Sequence, residues 1–523
     1  MRPIQNKYSY LHHLIFVHAL LLIAVGLPFS EILLSFGQFI LLINWIWENN
    51  FKEKRKILFS NIPVLTFLLL YIIHILWLIN THNLSFAFND LKIKLPLLIL
   101  PIIISTSKPL SHNELQKILN YFIFFVSIAT FISFLFFLGL FDINTNDIRN
   151  ISVFISHIRF SLMINLSIFL LSFFLIQRWY LYNITRRILI LLLIVWLIFF
   201  LFILQSITGI IIISIFMPIF LFRFFLKVKN QVLRSISITL LIGSIILGIF
   251  FIVRIVNTFY NVEEVDFGNL PKVTKLGNKY QKFNNKFTIE NGHYIWINIC
   301  IPEIEKWWNN HSHIPFNGTD HKGQKLSNTL IRYMTSKGLK KDKKGCSKLS
   351  KKDIQNIENG LTNYIMANKI SLHKIIYQII WQIDVYKKTG ECNNHSIVQR
   401  FEYWKTGIRI LTRNFLLGVG TGDIQDEFNI DYQLNESKLS STNRHRTHNQ
   451  FLAFCITFGV IGFLIVMVAL FFPVFKLWNK DFVFMIFFTI ILLSFLNEDT
   501  LETQTGVTFF VFFYSIFLFG KKI

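Results

Sequence analysis

Long blocks of Leu, Ile and Phe, broken by short polar stretches, fill most of the chain. Most blocks run roughly 17 to 25 residues, enough for a helix to cross a hydrocarbon layer of about 30 Å. Backbone amides and carbonyls find no partners in lipid, so such blocks close their hydrogen bonds internally as helices. The period-two alternation of a membrane barrel is absent. Twelve spans are expected, near residues 13–29, 31–47, 62–80, 91–105, 118–140, 158–176, 188–204, 209–226, 236–254, 449–475, 482–496 and 506–519. The fold class is therefore all-α, a polytopic integral membrane protein. Composition agrees: 53% of residues are hydrophobic and 15% charged, against about 25% charged in a soluble domain.

Short cytoplasmic loops retain Lys and Arg, and this bias sets orientation. Cations follow span two (Lys52, Lys54, Arg55, Lys56), span six (Arg178, Arg186, Arg187), span eight (Lys227, Lys229, Arg234) and span ten (Lys476, Lys480), and Lys521 and Lys522 close the sequence. The loops between them are poor in cations: residues 81–90 have none, and 497–506 carry Glu498, Asp499 and Glu502 alone. Both termini are thus expected in the cytoplasm. The basic start runs into span one and straight on into span two with no small-residue cleavage site, so span one is expected to remain as an anchor.

One long polar segment, 256–447, interrupts the pattern and divides the chain into 1–255 with nine spans, an external helical loop domain at 256–447, and 448–523 with three spans. The segment holds 28 basic against 18 acidic residues, and long loops translocate largely regardless of charge. Its best amphipathic stretches are Asp353 to Ala367, with Asp353 or Ser350 as the capping residue, and Ser396 to Arg413, capped by Ser396. The lysine-rich run 337–352 reads as a solvated surface loop, with contact to anionic lipid heads or sugar acids as the alternative. The net charge of +23 is largely the retained cytoplasmic cations, and without a recognisable binding motif no nucleic-acid partner is expected. Cys300, Cys346 and Cys392 allow at most one external disulfide, Cys455 lies in span ten, and no spacing resembles a metal site.

The chemistry concentrates between Arg400 and Gly462. Three motifs follow one another: Arg400 with Trp404, then Gly418-Val419-Gly420-Thr421-Gly422-Asp423, then His448-Asn449 followed by nine residues, Gly459, two residues and Gly462. The glycine triplet lacks the βαβ setting of a nucleotide loop and reads as a tight turn. Read as one helix, 448, 455, 459 and 462 share a face, and Cys455, Gly459 and Gly462 let a neighbouring helix approach.

This stretch resembles the O-antigen ligase and O-antigen polymerase superfamily, and the late large loop agrees. The resemblance implies a glycan donor carried on undecaprenyl pyrophosphate, a lipid A core acceptor for a ligase or a growing glycan for a polymerase, membrane lipids as surroundings, and work at the periplasmic face of a bacterial inner membrane without metal or other cofactor. Such transfer needs a base for the acceptor hydroxyl and cations for the pyrophosphate. His448 is the expected base, since imidazole as a residue type titrates near neutral pH. Arg400, whose guanidinium forks onto phosphate oxygens as lysine cannot, is the expected pyrophosphate partner. Its helix is expected to bury Phe401, Trp404, Ile408, Leu411 and Phe415 and to turn Glu402, Lys405, Arg409 and Arg413 to water.

Members of the superfamily commonly carry a Ser-Arg pair near the outer end of span seven; this chain reads Gln205-Ser206-Ile207-Thr208-Gly209 there, with no cation. Arg159, at the mouth of span six after His157, is the candidate substitute. Arg444 and Arg446 are further candidates. The sequence reads as a glycosyltransferase that ligates lipid-linked glycan to lipid A core. The alternatives are a polymerase, a protein O-oligosaccharyltransferase, and a glycolipid flippase, whose polar site would sit nearer mid-membrane.

Overall fold

The computed structural model describes residues 2–141, 148–281, 288–367, 371–393, 395–477 and 481–520; Lys480, Lys521 and Lys522 of the cation pattern lie outside them. The chain divides into two compact units, Met1–Met217 with Gly390–Ile523, and Pro218–Thr389. The elements before and within the break are α1 (Arg2–Gly26), α2 (Glu31–Trp47), α3 (Phe51–Ser60), α4 (Ile62–Leu76), α5 (Leu84–Lys94), α6 (Pro96–Thr106), α7 (His112–Phe137), α8 (His157–Gln177), α9 (Ile184–Ile203) and α10 (Ile207–Phe225). Next come α11 (Gln231–Tyr260), the hairpin β1 (Ile289–Glu290) with β2 (His293–Tyr294), α12 (Ile301–Asn309), α13 (Leu326–Ser336), α14 (Lys343–Cys346), α15 (Lys351–Glu358) and α16 (Leu372–Thr389). The last are α17 (Ser396–Arg413), α18 (Ile424–Leu434), α19 (Gln450–Lys476), α20 (Phe482–Phe495) and α21 (Gln504–Leu518).

Every expected span falls on helix, but not every helix is long enough to be one. Among the described residues eight helices have the length and hydropathy to cross a membrane, nine if α2 and α3, bent by 113°, count as a single broken span. α6 has 11 residues, α20 has 14 and α21 has 15; at about 1.5 Å per residue these fall short of a hydrocarbon core. Leu95 separates α6 from α5 and Pro96 opens it, a break that apolar run length does not register. α21 compensates by position: Thr505 to Leu518 are buried throughout, so it runs inside the bundle, packed against α6 and α20.

Loops assigned to one side collect together in the first unit. Thr505 Oγ1 donates to Glu31 Oε1 at 2.8 Å, Asn497 Nδ2 to Thr208 Oγ1 at 2.7 Å, and Arg159 Nη2 to the Asp499 carbonyl at 3.2 Å. The other set also meets within itself, through His13 with Glu114 at 2.9 Å and Arg178 Nη2 to Gln116 at 2.7 Å.

In the second unit only Leu241 and Ile255 of α11 are buried. A helix apolar all round and left uncovered has the surface that lipid covers. The polar part folds on a core that includes Ile299, Ile304, Trp308, Leu330, Met334 and Cys346. In the lysine run, Lys340, Lys343, Lys344, Lys348, Lys351 and Lys352 are exposed as expected, but Asp342 caps α14 through the Gly345 amide, Cys346 and Leu349 enter the core, and Lys341 is buried with Nζ donating to the Tyr294 carbonyl at 3.1 Å. The helix expected over Asp353 to Ala367 stops at Glu358, because Gly360 takes a left-handed φ of 72°; Ser350, in a reciprocal capping box with Asp353, starts it. The four cysteines are free thiols.

Candidate functional site

α17 spans the expected residues, but His395 and not Ser396 stands at its N-cap, and no side chain caps it. Its buried face is Val398, Tyr403, Thr406, Gly407 and Ile410, while Phe401, Ile408 and Phe415 stay exposed. Gly407 decides the rotation. A Cβ there would lie 3.0 Å from Ile456 Cδ1 and 3.2 Å from Leu452 Cδ2, so the missing side chain lets α17 rest on α19. Nor do all the cations face water: Arg409 and Arg413 both pair with the buried Asp431, at 2.5 and 2.8 Å.

The glycine motifs lock into one another. Gly459 has φ 63° and ψ −173° inside α19, a conformation essentially restricted to glycine. The break frees backbone groups, and the chain after α17 takes them up: Val419 N–H donates to the Ile456 carbonyl at 2.9 Å, Gly420 N–H to Thr457 at 3.0 Å, and Val460 N–H to Phe415 at 2.9 Å. A Cβ on Gly418 would sit 2.4 Å from the Gly459 nitrogen, and one on Gly420 2.2 Å from the Asn80 carbonyl. Asp423 closes the turn by accepting the His82 and Asn83 amides at 2.8 and 2.7 Å. Gly459 therefore does not continue one helical face from position 448; it ends that helix and docks the glycine loop.

His448 precedes α19 and is held at a left-handed φ of 46°. Such a backbone costs energy in a residue with a Cβ and persists where surroundings fix it. Asp499 supplies the fixing: its carboxylate accepts the His448 amide at 3.1 Å and the Thr447 hydroxyl at 3.0 Å. Asn449 caps α19 through the Leu452 amide at 3.0 Å. His448 Nδ1 lies 3.3 Å from Glu498 Oε2. A carboxylate at Nδ1 calls for the ring proton there, which leaves the Nε2 lone pair free. Nε2 makes no hydrogen bond among the described residues, and the side chain is 35% exposed.

Glu498 is also where Arg400 ends. Arg400 Nη2 reaches Glu498 Oε1 at 2.5 Å, while Nε donates to the Asn497 carbonyl at 3.3 Å and Nη1 to Ser396 at 2.8 Å. Arg159 approaches the same loop through Asp499, and its Nε is buried without a partner. Thr208, in the stretch lacking the superfamily's arginine, binds Asn497. Arg446 pairs with Glu502 at 3.1 Å; Lys94 reaches the same carboxylate at 3.0 Å and is also paired with Asp90. Burial raises the Glu498 carboxyl, but His448, Arg400 and Arg159 outweigh it and the group is held below its usual range. Burial pushes Asp499 up despite His448 and Arg446. Glu502, though largely buried, is held low by Lys94 and Arg446. The structure thus brings His448, Arg400, Arg159 and Arg446 onto one loop, 497–502, of which Glu498, Asp499 and Glu502 had served only to orient the chain.

A helical membrane protein in which a part-exposed imidazole and several guanidinium groups converge on a buried acidic loop is the class this site defines. Residues 360–467 match the family model described as O-antigen ligase, and this match supports the resemblance to the O-antigen ligase superfamily. The match spans the Arg400, glycine and His448 motifs on which the resemblance rested. A search of curated proteins finds no match.

Proposed function

We propose that the protein moves a glycan from undecaprenyl pyrophosphate onto lipid A core at the periplasmic face of a bacterial inner membrane. The observation that carries this reading is His448, its Nδ1 facing Glu498, its amide held by Asp499 and its Nε2 open. Nε2 takes the proton of the acceptor hydroxyl as that oxygen bonds to the anomeric carbon. The bond from that carbon to the pyrophosphate oxygen breaks, and undecaprenyl pyrophosphate leaves with the electron pair. Arg400, Arg159 and Arg446 contact the loop that holds His448 and meet the leaving charge. Cationic side chains do this work in the proposal, so transfer is expected to survive EDTA.

Polymerisation, with the growing glycan as acceptor, would use the same groups. Deleting the gene and resolving surface polysaccharide on a gel separates the readings. Ligase loss leaves bare core, polymerase loss leaves core with one repeat, and an unchanged ladder overturns both.

A further inference from the structure

Next to this site lies a cavity of about 460 Å³ whose lining includes Glu31, Ser152, Phe154, His157, Arg159 and Thr505. It falls within the size range of small-molecule sites, about 300 to 1,000 Å³. Its chemistry is mixed in a particular way. Glu31 offers a carboxylate, oriented by Thr505 Oγ1 at 2.8 Å. Ser152 and Thr505 bring hydroxyl groups. Phe154, braced edge-on against Phe29 with ring centres 5.0 Å apart, brings an aromatic surface. Arg159 joins the cavity to the reaction site, since its Nη2 holds the Asp499 carbonyl while the Asp499 carboxylate holds the His448 amide.

We propose that this cavity is a glycan subsite that seats one sugar ring of a substrate beside His448. Sugar hydroxyls both donate and accept, so they match a carboxylate, hydroxyls and a guanidinium in the lining, and the apolar face of a ring matches Phe154. A pyrophosphate does not match the cavity itself, because Glu31 repels it; in this reading the phosphates lie outside it, where Arg159 and Arg400 both reach the 497–499 backbone. The buried, unpartnered Arg159 Nε fits a guanidinium whose hydrogen bonds are completed only when substrate is present. This inference rests on the transfer reading above. The ring can come from the donor or from the acceptor, and the test separates them.

Binding is measured with two probes by saturation-transfer NMR on the whole protein in nanodiscs: core oligosaccharide freed of lipid A, and repeat-unit glycan released from its carrier. One probe is expected to give signals with the unmodified protein, weakened about tenfold or more in Glu31→Gln, which loses a charge-assisted hydrogen bond but still accepts from Thr505, and in Phe154→Ala. Which probe responds names the ring. In transfer assays the KM of that same substrate is expected to rise while the other KM stays within about threefold. No signal with either probe, or signals equal in all three proteins, overturns the subsite. His448→Ala is expected to keep the signals, so failure of the transfer reading and failure of the subsite are read separately.

Discussion

Arg400 and Glu498, 98 positions apart in the chain, meet at 2.5 Å, and the second oxygen of that carboxylate lies 3.3 Å from His448 Nδ1. One enclosed acid therefore orients both the expected base and the expected phosphate partner. Glu498→Gln keeps the shape and removes the charge. Losing one partner of a buried pair costs about 3 to 5 kcal/mol of stability, and a misplacement of about 1 Å at the reacting group costs about a hundredfold in rate. The variant is expected to melt at lower temperature and, per folded molecule, to transfer glycan about a hundredfold more slowly. Unchanged transfer by Glu498→Gln would show that the carboxylate does not position His448.

The glycine lock makes opposite predictions for two glycines. In Gly459→Ala the new Cβ would meet Leu416 backbone atoms at 2.3 Å, on a backbone whose strain alone costs about 1 to 3 kcal/mol. Gly248 in α11 has nothing within 4 Å, and Ala there gains about 0.5 to 1 kcal/mol of helix propensity. Thermal melts in detergent check this: Gly459→Ala falls and Gly248→Ala holds or rises. Equal shifts would remove the lock from the account.

The proposed orientation is testable with two new cysteines in a Cys455→Ser background, the other native thiols being buried. Lys351 and Lys56 are both exposed. Lys351→Cys is expected to react with an impermeant maleimide in intact spheroplasts, and Lys56→Cys only after lysis. The reverse pattern inverts the topology.

Much of this was legible in the chain, and what was not has identifiable causes. Each apolar run falls on helix, but run length misses the less apolar α3 and α18 and does not register breaks such as Leu95–Pro96, so fewer helices than runs have the length to cross a membrane. His448 and Arg400 were found by motif. Their partner Glu498 was not, because nothing local ties it to residues 50 and 98 positions away; the signal was the acid-only loop read alongside Lys94, a charge inside an apolar stretch. The face of α17 was misjudged because hydrophobic periodicity weighs side chains, whereas Gly407 packs by having none. Arg159 was singled out from a departure in sequence, and the structure carries it to the same loop as His448.

His448 removes the acceptor proton in the proposed reaction, and transfer by purified, reconstituted His448→Ala, with donor binding measured on the same sample, tests this. General base catalysis contributes about 10² to 10⁴-fold, so turnover is expected to fall by that factor while donor affinity, abundance and melting temperature stay close to those of the unmodified protein. Transfer at the unmodified rate by well-folded His448→Ala would contradict the account.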